Sequence, residues 1–148
     1  RVAEDFKLTT GTWVNSGGLR LAALGAAAPV LQDVVVAGHD RDFVSLLAWP
    51  NLVGCQSLSG ESDLDAEGAV SSEAVRQHIR DGLGTYNNAN PASSTHISRL
   101  LLLAEPPAID ANEITDKGYI NQRAVLENRG GEVGRLYAET PDADIIVL

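Results

Sequence analysis

The sequence predicts an α+β domain: a small three-stranded sheet with flanking helices, plus a two-stranded hairpin at the N-terminus. Three observations lead there. Forty of the 148 residues are Leu, Ile, Val or Phe, and a chain of this length can bury roughly 68–70% of its unfolded surface in one core. Short apolar runs bounded by turn-forming residues recur along the chain and read as strands. Between them lie segments rich in Ala and Leu, or with apolar residues four apart, that read as helices.

Asp5–Leu8 and Thr12–Val14 are short strand-like pieces separated by Thr9-Thr10-Gly11, and a Gly at such a point fits a tight turn. Gly17–Ala28 contains no β-branched residue and favours a helix that Pro29 closes. Leu31–Gly38 and Phe43–Trp49 are apolar and are joined by the polar loop His39-Asp40-Arg41-Asp42, which predicts an antiparallel pair. Residues 51–70 are rich in Gly, Ser and Asp with little periodicity and read as an exposed insertion. Ser71 or Ser72 caps the next helix, with Glu73 in its first turn and Val75, Ile79 and Leu83 on one face. After a loop over Asn87–Ser94, Ile97–Leu103 is nearly all apolar and reads as a third strand covered on both faces. Pro106-Pro107 ends it. Asn121–Ala138 reads as a last helix using Val125, Leu126, Val133 and Leu136. Gly130-Gly131, at a cost of about 1 kcal/mol each relative to Ala, predicts a bend or break within it.

Eleven basic against twenty acidic side chains give a formal charge of −9 and a pI near 4.6. That balance argues against nucleic acid or an anionic membrane as the main partner. One cysteine, Cys55, excludes an internal disulfide framework and a thiolate zinc cluster. The longest apolar runs, such as Leu100–Ala104, fall far short of the roughly 20 residues of a membrane span. With no signal peptide visible, the expectation is a soluble, cytoplasmic protein. A chain that starts at Arg1 and contains no Met is expected to be a piece of something larger.

Few residues suggest chemistry by themselves. His39, His78 and His96 match no metal-ligand spacing and read as structural, so no metal site is assigned. Cys55 lies in a polar stretch with no His nearby in sequence and reads as an incidental thiol. Asp40 and Asp42 could bind a cation, but two carboxylates in a charged turn are usually just solvated. No phosphate loop of the Walker type is present. Lysine is the informative residue: Lys7 and Lys117 are the only two, against nine arginines. Each lies near a glycine, Lys7 four before Gly11 and Lys117 directly before Gly118. A loop lysine can offer a point charge and three donors to a phosphate or carboxylate oxygen; two surface lysines falling in loops by chance is the plainer reading.

The two lysine segments resemble a known family. The start, RVAEDFKLTTGTWV, resembles the hinge segment of acyl-adenylate-forming enzymes, whose pattern runs roughly Gly-Arg-x-x-Asp-x-(Ile/Phe)-Lys-x-x-Gly. ITDKGYINQRAVL, residues 114–126, occupies the place of that family's C-terminal lysine loop. Both segments, and QDVVVAGHDRD over residues 32–42, are similar to feruloyl-CoA synthases in particular. The likeness runs from Arg1 to about Ala138 in the order of the family's smaller C-terminal domain. It implies a single domain over residues 1–148, the mobile cap of a larger enzyme whose large N-terminal domain is absent here.

The resemblance implies a two-step reaction. ATP, with Mg²⁺, and an aromatic acid such as ferulate give an acyl-adenylate and pyrophosphate; CoA then forms a thioester and AMP leaves. The cap rotates between the steps, with its own N-terminal domain as partner. Arg1 matches the pattern arginine that reaches the nucleotide ribose, and the hinge falls at Ala3 or Glu4. Lys7 is the pattern lysine. Gly11 matches the glycine past which the pantetheine arm runs, because no Cβ stands in the way. Thr12 and Trp13 would flank the thiol tunnel, although a buried core tryptophan fits Trp13 as well. Relatives read Gly-Lys-(Ile/Val) in the lysine loop, whereas here Tyr119 follows Gly118 and the lysine stands two places earlier. Lys117 is therefore the expected adenylation lysine if the loop backbone differs; otherwise an N-domain residue or Mg²⁺ supplies the charge. Two other readings remain open: an enzyme that loads a carrier protein, and a non-catalytic interaction module of the same fold.

Overall fold

A computed structural model describes residues 4–148. Arg1, expected to reach the nucleotide ribose, and the hinge candidate Ala3 lie outside the described residues.

The predicted hairpin forms, with β1 (Phe6–Lys7) antiparallel to β2 (Trp13–Val14) and Lys7 opposite Trp13. Asn15 then caps α1 (Ser16–Ala26) by accepting from the Gly18 N–H at 2.9 Å. β3 (Leu31–Ala37) and β4 (Val44–Pro50) pair antiparallel as expected. β5 (Ile97–Leu102) lies parallel to β4, so the chain between them has to cross over the sheet.

That crossover corrects the reading of residues 51–70 as an exposed insertion. They hold two helices, α2 (Leu52–Ser59) and α3 (Ala66–Ser71). Asn51 and Asp65 cap them, accepting from Gly54 N at 3.0 Å and Gly68 N at 2.8 Å. Cys55 lies on α2, fully buried, with its thiol 3.4 Å from the Val30 carbonyl oxygen; burial pushes its pKa up. The next helix, α4 (Glu73–Ala89), uses Val75, Ile79 and Leu83 as predicted and runs into the expected loop. Asn87 holds that extra turn: its amide donates to the Ile97 carbonyl at 2.8 Å and accepts from the Ile97 N–H at 2.9 Å.

The last predicted helix is broken at Arg129 into α5 (Gln122–Asn128) and α6 (Gly130–Leu136). A strand that was not predicted, β6 (Ile145–Val147), pairs antiparallel with β5. The main sheet therefore has four strands rather than three, in the order β3-β4-β5-β6. Both faces are covered. Val34, Leu46, Leu100 and Ile146 pack under α1 to α4 in one core; Val35, Leu47, Leu101 and Ile145 pack with Val125 of α5 and Leu136 of α6 in the other. Each such side chain contributes about 1.5–3 kcal/mol on full burial, so this double coverage dominates the stability.

The outer edge of β3 is met by side chains. The Val34 N–H donates to Asp33 Oδ1 at 2.8 Å, and the Val36 N–H donates to Gln122 Oε1 of α5 at 3.0 Å. Arg20 holds the Asp33 carboxylate through two hydrogen bonds of 2.7 and 3.1 Å.

Candidate functional site

The hairpin turn is closed by Gly11 N to Leu8 O at 2.9 Å and Leu8 N to Thr12 O at 3.0 Å. Gly11 has φ +84, a conformation that suits glycine, and open space lies where its Cβ would be. The Thr12 hydroxyl is 2.9 Å from the Thr10 hydroxyl. Trp13 is 61% exposed, which removes the core reading of that residue. The ammonium of Lys7, its partner across the strands, lies 5.0 Å from the indole ring centroid. The hairpin is docked onto the His39–Asp42 loop through Thr9 N to Arg41 O and Asp40 N to Lys7 O, both 3.0 Å, and Thr9 Oγ1 to Asp42 Oδ1, 2.7 Å. Asp42 is thus a structural acceptor. Glu4, the remaining hinge candidate, accepts from the Ser16 hydroxyl through its carbonyl at 3.0 Å.

Lys117 lies elsewhere, on a tight exposed turn before α5. Its two legs meet at an Ile114–Ile120 bridge. Within the turn, Thr115 N donates to Tyr119 O at 2.7 Å and Gly118 N donates to Thr115 O at 2.9 Å. Gly118 sits at φ +83, directly after the lysine, and this reversal puts both Lys117 and Tyr119 (69% exposed) into solvent.

Under that turn is a buried ion pair that sequence reasoning missed. Glu113, 2% exposed, accepts from Arg129 Nη2 at 2.9 Å, Arg129 Nε at 3.0 Å and the Ala108 N–H at 2.9 Å. Arg129 also donates to the Glu105 and Pro106 carbonyls at 3.1 and 3.0 Å and lies 5.5 Å from the centroid of the Trp49 ring. The guanidinium hydrogen bonds hold the Glu113 carboxyl below its ordinary pKa despite burial. Neither residue falls on an apolar period, and the only signal was the helix break beside Gly130.

Two hollows flank the start of α5, one on the hairpin side and one on the side of the lysine turn. One, of about 840 Å³, is bounded by Glu4, Asp5, Gly38, Arg41 and the start of α5. The other, of about 470 Å³, is bounded by Thr115 and Asp116 of the lysine turn. They share Asn121, Arg123 and Glu127. The structure thus groups Lys7, Gly11, Thr12 and Trp13 on one hairpin and puts Lys117 on a separate turn, with α5 reaching towards both. His78 is structural, its Nε2 2.8 Å from the Ala28 carbonyl oxygen. Among the described residues no group of three or more His, Cys, Asp and Glu side chains is placed to hold a metal ion.

No protein-family model and no curated protein matches the sequence. Solved structures do match. The adenylation domain of a carboxylate reductase from Mycobacterium chelonae covers 94% of this chain at 20% identity, with a TM-score of 0.70. The adenylation domain of the carboxylic acid reductase from Segniliparus rugosus, in complex with AMP and a co-purified carboxylic acid, covers 94% at 20% identity and a TM-score of 0.68. The fold is that of the C-terminal domain of adenylate-forming enzymes. A didomain of the Segniliparus rugosus enzyme that adds a PCP to the adenylation domain, with AMP, covers 92% at 21% identity and a TM-score of 0.66. This chain spans about a fifth of the length of those it matches, 17–20%. The matched proteins are carboxylate reductases rather than feruloyl-CoA synthases, so the likeness carries the fold and leaves the acyl acceptor open. No helix among the described residues is long and apolar enough to cross a membrane.

Proposed function

We propose that this chain is the mobile C-terminal domain of a larger enzyme that activates a carboxylic acid with ATP, and that Lys117 is the cation of the adenylation step. The observation that carries the reading is an exposed lysine on a tight turn braced from below, in a chain with this fold. In the first half-reaction a carboxylate oxygen attacks the α-phosphorus and pyrophosphate leaves. The Lys117 ammonium offsets the negative charge gathering between carboxylate and phosphate, a type of electrostatic effect that is often the largest catalytic contribution. Mg²⁺ would come bound to the nucleotide and supply further positive charge there, with no residue of this chain assigned to hold it. In the second half-reaction the CoA sulfur attacks the acyl carbon, the thiol proton is lost and AMP leaves.

The wording of both lysine segments supports an aromatic acid such as ferulate as substrate and CoA as acceptor. The hairpin serves the second half-reaction: the open space at Gly11 suits passage of a pantetheine arm, flanked by Thr12 and Trp13, with Lys7 beside it. Arg1 serves the nucleotide ribose, and the domain turns about Ala3 or Glu4 between steps. A carrier-bound phosphopantetheine is the second reading, favoured by the match to an adenylation domain joined to a PCP. The charge of −9 disfavours it, since carrier helices are commonly acidic.

The test is made on the full-length enzyme with Lys117→Ala. Ferulate-dependent pyrophosphate exchange is expected to fall by about 10²–10³-fold, the usual range for removing one transition-state donor. Thioester formation from supplied feruloyl-adenylate should stay within about threefold, small against that range. Equal loss in both half-reactions, or none, rejects Lys117.

A further inference from the structure

We infer that Glu113 and Arg129 are positioning residues for Lys117: the buried pair sets the direction in which the exposed turn presents its ammonium. The inference rests on the reading of Lys117 above and extends it to residues that never touch substrate.

Residues 115–119 are all exposed, so no packing holds the tip of the turn. Its direction is decided at its base, where the legs meet at Ile114 and Ile120. One step further down, the Asn121 N–H donates to the Glu113 carbonyl oxygen at 2.8 Å, tying the outgoing leg to the incoming one. Glu113 is therefore fixed at the foot of the incoming leg, and both its carboxylate oxygens are bound by Arg129.

Arg129 in turn is anchored to the body of the domain. It stands at the α5–α6 junction, donates to the Glu105 and Pro106 carbonyls, and lies over Trp49 of β4. Trp49 Nε1 donates to the same Glu105 carbonyl at 2.8 Å. A continuous chain of contacts thus runs from the central sheet through Trp49, Arg129 and Glu113 to the foot of the lysine turn. The charges facing the pair are few: Glu105, 87% exposed and 3.9 Å from Arg129 Nη1, is the other acid paired with it. A buried ion pair of this kind is poor value as a source of stability, because desolvation offsets most of the attraction, but its fork geometry fixes orientation.

The test uses the scarcity of lysine. A lysine-specific endoproteinase can cut this chain only after Lys7 and after Lys117, and Lys7, on the hairpin, is an internal reference. In Glu113→Gln, cleavage at Lys117 is expected to rise tenfold or more relative to cleavage at Lys7. Equal acceleration at both sites means general destabilisation and overturns the inference, as does no change at either. Should Glu113→Gln not fold, Arg129→Lys is judged by the same ratio; it keeps the charge but cannot bridge both carboxylate oxygens. In the full-length enzyme, Glu113→Gln should slow pyrophosphate exchange tenfold or more with the KM for ATP within twofold, and Glu113→Asp should recover part of the loss. If Lys117→Ala leaves exchange intact, the functional reading fails while the cleavage ratio still decides whether the pair orders the turn. If Lys117→Ala abolishes exchange and Glu113→Gln changes neither exchange nor the ratio, the positioning role fails alone.

Discussion

Two glycines on one helix should respond in opposite directions to the same substitution. Gly82 and Gly84 both lie inside α4, so replacing either by Ala gains up to about 1 kcal/mol in helix propensity. At Gly84 a Cβ would meet nothing within 4 Å, and the gain should appear in full. At Gly82 the new Cβ would stand 2.2 Å from the Ala26 carbonyl oxygen and 3.1 Å from its carbon, at the end of α1. Both atoms are backbone, so α1 and α4 must separate by about 1 Å to reach ordinary van der Waals distance. That separation also strains the contact between His78 and the Ala28 carbonyl oxygen one turn away. Overpacking typically costs about 1–3 kcal/mol, and a backbone clash belongs at the upper end. Subtracting the propensity gain leaves Gly82→Ala less stable by about 2 kcal/mol. With a urea m-value of about 2 kcal/mol/M, its midpoint should fall by about 1 M, while that of Gly84→Ala rises by up to about 0.5 M. Equal midpoints for the two variants would refute the claim that α1 and α4 meet through Gly82.

The two tryptophans give a second contrast. Trp13→Ala should change the unfolding free energy by less than about 0.5 kcal/mol, since the side chain is mostly in water; Trp49→Ala, 4% exposed, should cost about 3–5 kcal/mol, both read from urea curves. Tyr137 predicts an alkaline limb. Burial pushes its phenol up to about 12, whereas an unfolded tyrosine ionises near 10. The raised folded value means this contribution is complete below about pH 10 and is lost as pH climbs towards 12. Tyr137→Phe should flatten the fall of the urea midpoint across that window, with a remaining slope from Tyr86, whose pKa burial also raises.

The segments that could be read from the sequence are those whose pattern is local. The 75/79/83 spacing placed the buried face of α4, and the apolar runs around the His39–Asp42 loop placed β3 and β4. The hairpin followed from a glycine between two short strands, and Gly11 does take a positive φ. What escaped depends on distant partners. α2 and α3 are short, and their composition resembles a loop; the N-caps Asn51 and Asp65 and the closing Gly60 of α2 were their local signals. β6 is three residues long and becomes a strand only because β5 offers an unpaired edge. The same limit applies to the site. Lys117 stood out because lysine is rare, but its support comes from Glu113 and Arg129, sixteen residues apart and joined only in the folded chain. The parallel pairing of β4 with β5 likewise has no signature in either strand alone.

The side chains along β3 have a consequence for assembly. A sheet whose outermost strand offers free N–H groups invites another chain to add a strand there, the route to swapped dimers and fibres. On β3 the outward N–H groups of Val34 and Val36 are already occupied, by Asp33 and by Gln122. An incoming strand would have to displace a carboxylate that Arg20 holds and an amide fixed at the start of α5. The strand therefore carries its own seal, and the hydrophobic run VVVA can be strongly β-forming without making this edge adhesive.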